Sequence, residues 1–315
     1  MKTIIYFFKI IVRSILKLLH GNKEEILSFG EKNKDKIFYL ICPDADGVGL
    51  FSYFTIFTGH IRYARKKGYI PVIDMMNYRN TYLDEKSIGK ENAWEYYFKQ
   101  PDKYSLSEVY KSKNVIKSSV APIVWPDAST GFCFNKKIRN YWKKIVRENI
   151  FVTEEILNEA DSQWKELFDE NDRVLGVNCR GTDYIALRPK WHPKQPEPKK
   201  VIEKVKEVMF EQKCNKIFLA TEDKDIHKMF KEKFGEIVVD NDVYRYDYDG
   251  KSYIAMMKSD REDDKKLRGK EYLITTLLLS KCNCFIGGRN GGAVGALLFA
   301  DNYEYEYIWN LGRYL

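Results

Sequence analysis

Histidine is scarce in this chain of 315 residues, which has four, and its six cysteines form no Cys-x-x-Cys pair. No His-Glu-x-x-His or similar cluster occurs, so the sequence gives no support for a zinc hydrolase or a thioredoxin-like site. The cysteines are scattered, several of them inside apolar runs. Cys42, Cys179 and Cys284 are predicted to be small buried hydrophobes at strand ends, which suits a reduced cytoplasm.

The N-terminal segment lacks a long uncharged apolar run. The longest in the first 20 residues covers 3–8, and charges at positions 9, 13 and 17 argue against a spanning helix and a cleaved signal peptide. The cations of this segment fall on one helix face, within an arc of about 80°, and no acid accompanies them. Residues 1–22 are therefore predicted to form a basic amphipathic helix on an anionic membrane surface. Packing on the protein's own core is the alternative.

A basic stripe across the body of the protein is also missing. Half of the net charge of +8 lies on four cations of the first 20 residues, so the remaining chain is nearly balanced. This argues against nucleic acid as a partner. A hydrophobic content of 44% with 15% aromatics excludes a disordered chain.

After residue 23 short β-rich runs alternate with helical stretches, which predicts parallel α/β layering. Two such series meet near residue 165, so we predict α/β domains over 23–165 and 166–315. Residues 242–264 have no clear periodicity and form either a disordered insertion or a lid. Strands are predicted over 37–42, 69–74, near 115, and over 173–178, 216–220, 236–240, 283–286 and 305–309. Helices are predicted over 50–67, 91–98, 136–147, 153–168, 199–211, 224–233, 269–280 and 291–299.

Ligands of parallel sheets bind beyond the carboxyl ends of strands, and four loops follow predicted strands. They cover residues 44–49, 178–184, 221–223 and 287–292. The last is rich in glycine and opens a helix, so its N–H groups are predicted to bind phosphate. None is a P-loop, and Gly47-x-Gly49 is not a complete dinucleotide fingerprint. For Gly295 and Ala296 close packing between helix and strand is the preferred interpretation.

Charged residues in two of these loops suggest chemistry. Arg180 carries a planar guanidinium suited to a diphosphate, and Asp183 can orient it; an ordinary surface ion pair is the alternative. Asp44-x-Asp46 fits the Asp-x-Asp pattern with which some glycosyltransferases hold a metal. The same pattern occurs at 240–242 and 247–249, and Asx-rich turns generate it by chance.

Residues 178–184 read Asn-Cys-Arg-Gly-Thr-Asp-Tyr. They resemble a motif of the GT-B fucosyltransferases of the α1,6 and α1,2 types. In that family the motif reads His-x-Arg-Arg-Thr-Asp-Lys or His-x-Arg-Arg-Gly-Asp-Tyr. Residues 217–223 are similar to their strand that ends in Ala-Thr-Asp-Asp, and residues 277–287 and 47–53 resemble two further elements. Together the four elements span about residues 40 to 300. This chain departs at Asn178, which replaces histidine, at Gly181, which replaces the second arginine, and at Asn290, which with glycines replaces Ser-Ser.

The resemblance implies a GT-B-like α/β fold with two Rossmann-like domains whose parallel sheets face a cleft. The first domain would bind the acceptor and the second the nucleotide sugar. The implied reaction is inverting transfer from a nucleoside diphosphate sugar, GDP-fucose favoured, to a hydroxyl of a cell-envelope or capsular glycan. The predicted helix of residues 1–22 would place the protein in the cytoplasm, at the inner face of the membrane. The resemblance further implies that the protein needs no cofactor and no essential metal.

The resemblance also implies roles for residues. Arg180 and the amides of 290–292 would stabilise the leaving phosphate, and Asp46, Asp44 or Asp183 would take the acceptor proton. Two alternatives stay open: a non-catalytic binding module on a degenerate transferase fold, and a metal-dependent GT-A-type transferase that uses Asp44-x-Asp46. The predicted donor-binding residues are Gly47, Gly49, Asn178, Thr221, Glu222, Asp223, Asn290, Gly291 and Gly292.

Overall fold

The computed structural model describes residues 26–43, 46–118, 124–246, 250–251, 253, 256–257 and 259–315, with Thr182 described by its backbone. The predicted membrane helix and Asp44 lie outside these residues.

The first sheet has four strands in the order β1-β4-β2-β3. The central pairings, β2 with β4 and β2 with β3, are parallel, and only the β1–β4 pairing is antiparallel. All of β2 is buried, as its continuous apolar run predicts. The strands are β1 (Ile26–Leu27), β2 (Phe38–Ile41), β3 (Ile70–Ile73) and β4 (Val115–Lys117).

The second sheet has five strands in the order β7-β6-β5-β8-β9, and all four pairings are parallel. Its strands are β5 (Val174–Asn178), β6 (Lys216–Ala220), β7 (Val238–Val239), β8 (Cys284–Gly287) and β9 (Tyr305–Ile308). Central β5 is buried along its whole length. Because the strands are parallel, the loops after β5, β6 and β8 meet at one edge of the sheet.

Ten α-helices cover these sheets within the described residues, and most match the sequence prediction. Helix α9 begins five residues earlier than predicted, because Asp264 in its first turn binds Arg261 and Arg268. The stretch over 91–98 is only the short 3₁₀ turn Ala93–Tyr96, and three short helices, Leu106–Val109, Thr130–Phe134 and Thr182–Leu187, were not predicted. The helices are α1 (Leu50–Lys67), α2 (Leu106–Val109), α3 (Thr130–Phe134), α4 (Lys136–Asn149), α5 (Glu154–Leu167), α6 (Thr182–Leu187), α7 (Pro198–Glu211), α8 (Lys224–Phe234), α9 (Asp264–Lys281) and α10 (Gly291–Phe299).

One buried core joins the two halves. Phe51 and Phe54 of α1 belong to the same cluster as Leu273 of α9 and Leu297 of α10. A Cβ on Gly295 would collide with the ring of Phe51, so this glycine does permit close packing. Its neighbour lies on α1, so the packing is between two helices and not, as predicted, between helix and strand. The strands of the first sheet come from residues 26–117 and those of the second from 174–308. The division at 165 stays a prediction.

All six cysteines are buried and free, as predicted for Cys42, Cys179 and Cys284. Within the described ranges, no helix combines the length and the apolar character needed to cross a membrane.

Candidate active site

A cavity of about 160 Å³ lies at the carboxyl ends of β5 and β6. Its walls come from both halves of the chain: Gly49 at the start of α1, the loops after β5 and β6, residues 241–246, and α9. We call this cavity the cleft. Four predicted site residues line it besides Gly49, namely Asn178, Arg180, Thr221 and Glu222. The expectation that ligands bind beyond the carboxyl ends of the strands therefore identified these four residues of the cleft correctly.

Arg180 is the central cation of the cleft. Its Nη2 donates to both carboxylate oxygens of Asp183, at 3.1 and 3.0 Å, and its Nε lies 3.8 Å from Oε1 of Glu222. The guanidinium carbon lies 4.2 Å from the ring centre of Tyr184. Asp183 is 1% exposed, whereas the Arg180 side chain is 22% exposed. The buried Asp183 thus orients the guanidinium of Arg180, and part of the Arg180 side chain stays exposed toward the cleft.

The electrostatics keep Arg180 charged. Burial opposes the charge, but Glu222 and Asp183 raise the pKa of the guanidinium above its ordinary value. Its Nε is buried and forms no hydrogen bond with any described residue. Its nearest anion is Glu222, so a ligand in the cleft can reach the exposed 22% of the arginine side chain and not this atom.

Asn178 is fixed at the end of β5 by a chain of side-chain amides. Its Oδ1 accepts from Nδ2 of Asn290 at 2.7 Å, and the same Nδ2 lies 3.1 Å from Oε1 of Gln195. Nε2 of Gln195 in turn donates to the carbonyl of Arg289 at 3.0 Å. This network locks the strand end against the turn after β8 and presents Asn178 to the cleft.

The Gly-rich turn after β8 does not line the cleft, and its residues pack closely against their neighbours. The phosphate contact stays a prediction. Oδ1 of Asn290 caps α10 by accepting from the N–H of Ala293 at 3.0 Å. A Cβ on Gly291 would lie 3.2 Å from Cβ of Phe51, and one on Gly292 would lie 3.0 Å from Nδ2 of Asn178. Small residues are required here because neighbouring side chains occupy the space.

Asp223 also has a structural role where donor binding was predicted. Its Oδ1 caps α8 by accepting from the N–H groups of Asp225 and Ile226, at 2.9 and 3.0 Å. A Cβ on Gly181 would lie 2.4 Å from Cδ1 of Ile226 and 2.6 Å from Oδ2 of Asp223. A side chain at position 181 would therefore have to displace the side chains of Ile226 and Asp223.

The predicted bases differ in their surroundings. Asp183 is buried and bound to Arg180 through both oxygens, so it suits orientation better than proton transfer. Asp46 is exposed and accepts from the N–H of Gly47 at 2.7 Å. Gly47 has a φ of +74°, which favours glycine. Neither Asp46 nor Gly47 lines the cleft.

Sequence reasoning missed Asn241 and the residues of α9 that line the cleft. Arg268 lines the cleft, where its Nε donates to the hydroxyl of Tyr246 at 3.0 Å and its guanidinium binds Asp264. Asn241 donates from Nδ2 to Oγ1 of Thr275 at 3.0 Å, and both also line the cleft. Residues 242–264 were predicted as either a lid or a disordered insertion. The part over 242–246 forms a wall of the site, as a lid would.

No family model matches this chain, and no curated protein matches it. Among solved structures, the apo form of the O-fucosyltransferase POFUT1 shares 9% identity and has a TM-score of 0.50, with 90% of this chain and 100% of that chain covered. The fucosyltransferase NodZ from Bradyrhizobium shares 15% identity and has a TM-score of 0.49, with 84% and 94% covered.

At these identities the likeness defines the fold, which is the GT-B-like α/β fold of the fucosyltransferases. The predicted fold class is confirmed. The alternative of a GT-A-type transferase is wrong at the level of the fold, because the strands form two sheets around one cleft. Among the described residues, no group of three or more His, Cys, Asp or Glu could hold a metal ion.

Proposed function

We propose that this protein is an inverting glycosyltransferase that moves a sugar from a nucleoside diphosphate donor to a hydroxyl of a glycan. One observation carries the proposal: a permanently charged arginine, held by a buried aspartate, faces a cleft at the carboxyl end of β5 in a GT-B-like fold. In this fold that edge lies where a nucleotide would bind.

Arg180 would act on the leaving group. The acceptor oxygen forms a bond to the anomeric carbon while the bond from that carbon to the β-phosphate oxygen breaks, and negative charge grows on the phosphate. A preoriented guanidinium stabilises that charge without reorganisation at the moment of reaction. Asp183 serves by fixing the orientation of Arg180.

Arg268 would supply a second positive charge. It lines the same cleft as Arg180 although it comes from α9. Since Gly181 has no room for a side chain, Arg268 takes over the electrostatic role of the missing second arginine of the motif. Its bonds to Asp264 and Tyr246 hold it in place.

The acceptor proton would pass to Asp46. This carboxylate is exposed and stands at the entry to α1, whose first turn borders the cleft through Gly49. Asp44 is the other candidate and lies outside the described residues. We further propose that no essential metal takes part, as the family resemblance implies.

GDP-fucose is the favoured donor because of the motif at residues 178–184. The cleft offers neutral hydrogen-bonding groups for a nucleobase, namely Asn178, Asn241 and Thr275. The acceptor would be a cell-envelope or capsular glycan on the cytoplasmic face of the membrane, to which residues 1–20 would hold the protein.

The first prediction concerns Arg180. Arg180→Ala should lower turnover of the donor by on the order of a hundredfold or more, because it removes stabilisation of the leaving phosphate. Turnover of a panel of nucleotide sugars is measured as release of the nucleotide, which is the nucleoside diphosphate for GDP-, UDP- and dTDP-sugars and CMP for CMP-sugars. Arg147→Ala is the matched control, since Arg147 also pairs with an aspartate, Asp301, but lies away from the cleft.

Both variants should fold normally, which circular dichroism checks. Equal turnover by Arg180→Ala and the parent protein would refute the assignment.

A non-catalytic binding module is the second candidate, and Gly181 favours it because the motif's second arginine is missing. Such a module would bind a nucleotide sugar in the cleft without releasing nucleoside diphosphate. Binding by calorimetry together with absent turnover across the panel would support this candidate.

A further inference from the structure

An exposed apolar surface lies on α3, α4 and the segment before them, away from the cleft. Val124, Phe134, Ile138 and Tyr141 are 40 to 49% exposed. Val124, Ile138 and Tyr141 line a shallow groove of about 350 Å³ whose floor includes Trp142. We call Val124, Phe134, Ile138 and Tyr141 the α4 patch. Large apolar side chains that protrude together, unlike single ones, mark an interaction surface.

The α4 patch is surrounded by positive charge. Lys136, Lys137 and Lys144 are exposed on α4, and Arg62 of α1 lies in the groove. The guanidinium carbon of Arg62 is 5.7 Å from the ring centre of Tyr141, and its Nε bonds the Tyr141 hydroxyl. Of the six cations in residues 130–149, Arg139 and Lys143 are buried, Arg147 pairs with Asp301 and Lys144 pairs with Glu148. The positive charge of this face therefore comes mainly from Lys136, Lys137 and Arg62. An anionic partner therefore complements this face.

We infer that the α4 patch binds an anionic lipid bilayer. Protruding aromatic and aliphatic side chains enter the boundary between headgroups and acyl chains, while the surrounding lysines stay with the phosphates.

The position of the patch suits a protein that works beside a membrane. Arg62 lies 13 residues along α1 from Gly49, which is about 20 Å at the rise of an α-helix. Bilayer contact here leaves the cleft open and close to the surface. A single weak anchor gives marginal, reversible binding, so the patch and residues 1–20 together would provide the two contacts that stable attachment requires.

The test uses the full chain with a single labelled cysteine. Because all six native cysteines are buried, a cysteine placed by Ile138→Cys reacts selectively with an environment-sensitive fluorophore. Phe210→Cys on α7 is the matched control, since Phe210 is an apolar residue that is 87% exposed on another helix. With phosphatidylglycerol-containing vesicles, emission from position 138 should shift to the blue. Neither position 210 nor vesicles of phosphatidylcholine alone should give this shift.

Co-sedimentation gives a second readout. Ile138→Glu combined with Phe134→Glu should lower the vesicle-bound fraction by roughly tenfold, whereas Phe210→Glu should leave it unchanged. Removal of residues 1–20 should also release most of the protein, because each contact alone is weak.

Several results would overturn the inference. The first is an absence of vesicle binding by the full chain, and the second is binding with no blue shift at position 138. The third is a label at 138 that is shielded without lipid and becomes exposed when residues 1–20 are removed, which would make that segment the occupant. The last is a dimer in solution that dissociates in Ile138→Glu, which would make a second copy the occupant.

Discussion

Arg180 shows how one side chain acquires its chemistry from its neighbours. Asp183 fixes its direction, Glu222 adds to the field that keeps it charged, and Tyr184 covers one face of the guanidinium. Each of these contacts would be weak on an open surface. At the partly buried end of β5 they are stronger, because the surroundings screen charge less than water does.

The second prediction concerns Arg268. Arg268→Gln should raise the KM for the donor roughly tenfold with a smaller change in kcat, because a cation that binds phosphate before and during the reaction contributes mainly to affinity. Arg268→Lys should recover part of the loss. Asp264 keeps Arg261 and Tyr246 as partners, so both variants should stay folded. A change in melting temperature without any change in KM would show that Arg268 is purely structural.

The third prediction concerns His60, a buried residue of α1 whose Nδ1 lies 3.1 Å from the hydroxyl of Tyr39. Burial lowers its pKa from 6.5 to about 4. Between these values the unfolded chain binds a proton that the folded protein does not, so stability is lost as the pH falls from 6.5 toward 4.

For this group alone the loss at about pH 5 should be about 2 kcal/mol relative to neutral pH. Urea unfolding at both pH values measures it. His60→Gln keeps a hydrogen-bonding group beside Tyr39 but does not titrate, so the variant should lose less stability on acidification than the parent. Equal losses would contradict the prediction.

At the residue scale the sequence located part of the site. Asn178, Arg180, Thr221 and Glu222 were found because the end of a buried strand is visible as a break in an apolar run. Arg268 lies inside a helix and reaches the cleft through the packing of α9, which no local pattern encodes. The phosphate role of the turn at Asn290 stays a prediction, because glycines serve phosphate binding and close packing equally well.

At the scale of helices and strands, the contact between α1 and α10 is the one most easily tested by substitution. The fourth prediction is that Gly295→Ala destabilises the protein by about 1–3 kcal/mol, although alanine favours a helix, because the new methyl group would collide with the ring of Phe51. The midpoint of urea unfolding measures this. Gly49→Ala is the matched control, since a Cβ there would have nothing within 4 Å of it and the φ of Gly49 is −67°.

The double variant Gly295→Ala, Phe51→Leu tests the cause directly, because the smaller side chain leaves room for the methyl group. Its unfolding midpoint should lie closer to the parent's than the sum of the two single effects implies. Strict additivity would mean that the collision is not the source of the loss.

Most elements were predictable because their patterns are long and periodic. Helix α1 matches its predicted bounds fully. The failures are short: the unpredicted helices α2, α3 and α6 have four, five and six residues, and the stretch over 91–98 contains only a 3₁₀ turn of four. Here Trp94 donates to the carbonyl of Lys99 at 3.1 Å, so tertiary contacts decide the conformation instead of periodicity.

At the scale of the whole molecule, a continuous core fixes the two sheets around the cleft. Phe51 packs on Gly295, and Tyr97 donates to the carbonyl of Lys266 at 3.0 Å, so first-half residues contact both α9 and α10. The GT-B-like arrangement was predicted from the motifs. The shared core was not, since contacts between residues so far apart in sequence leave no local signal.

The fifth prediction tests the central claim, that the cleft around Arg180 binds a nucleoside diphosphate sugar. The measurement is the melting temperature of the parent protein and of Arg180→Ala against GDP-, UDP-, CMP- and dTDP-sugars. At a concentration near 100 Kd a ligand adds about 2.7 kcal/mol, or about 5 °C for a chain of this size. We expect at least one nucleoside diphosphate sugar, GDP-fucose first, to raise the melting temperature of the parent and not that of Arg180→Ala. No shift with any nucleotide sugar, or equal shifts in both proteins, would contradict the claim.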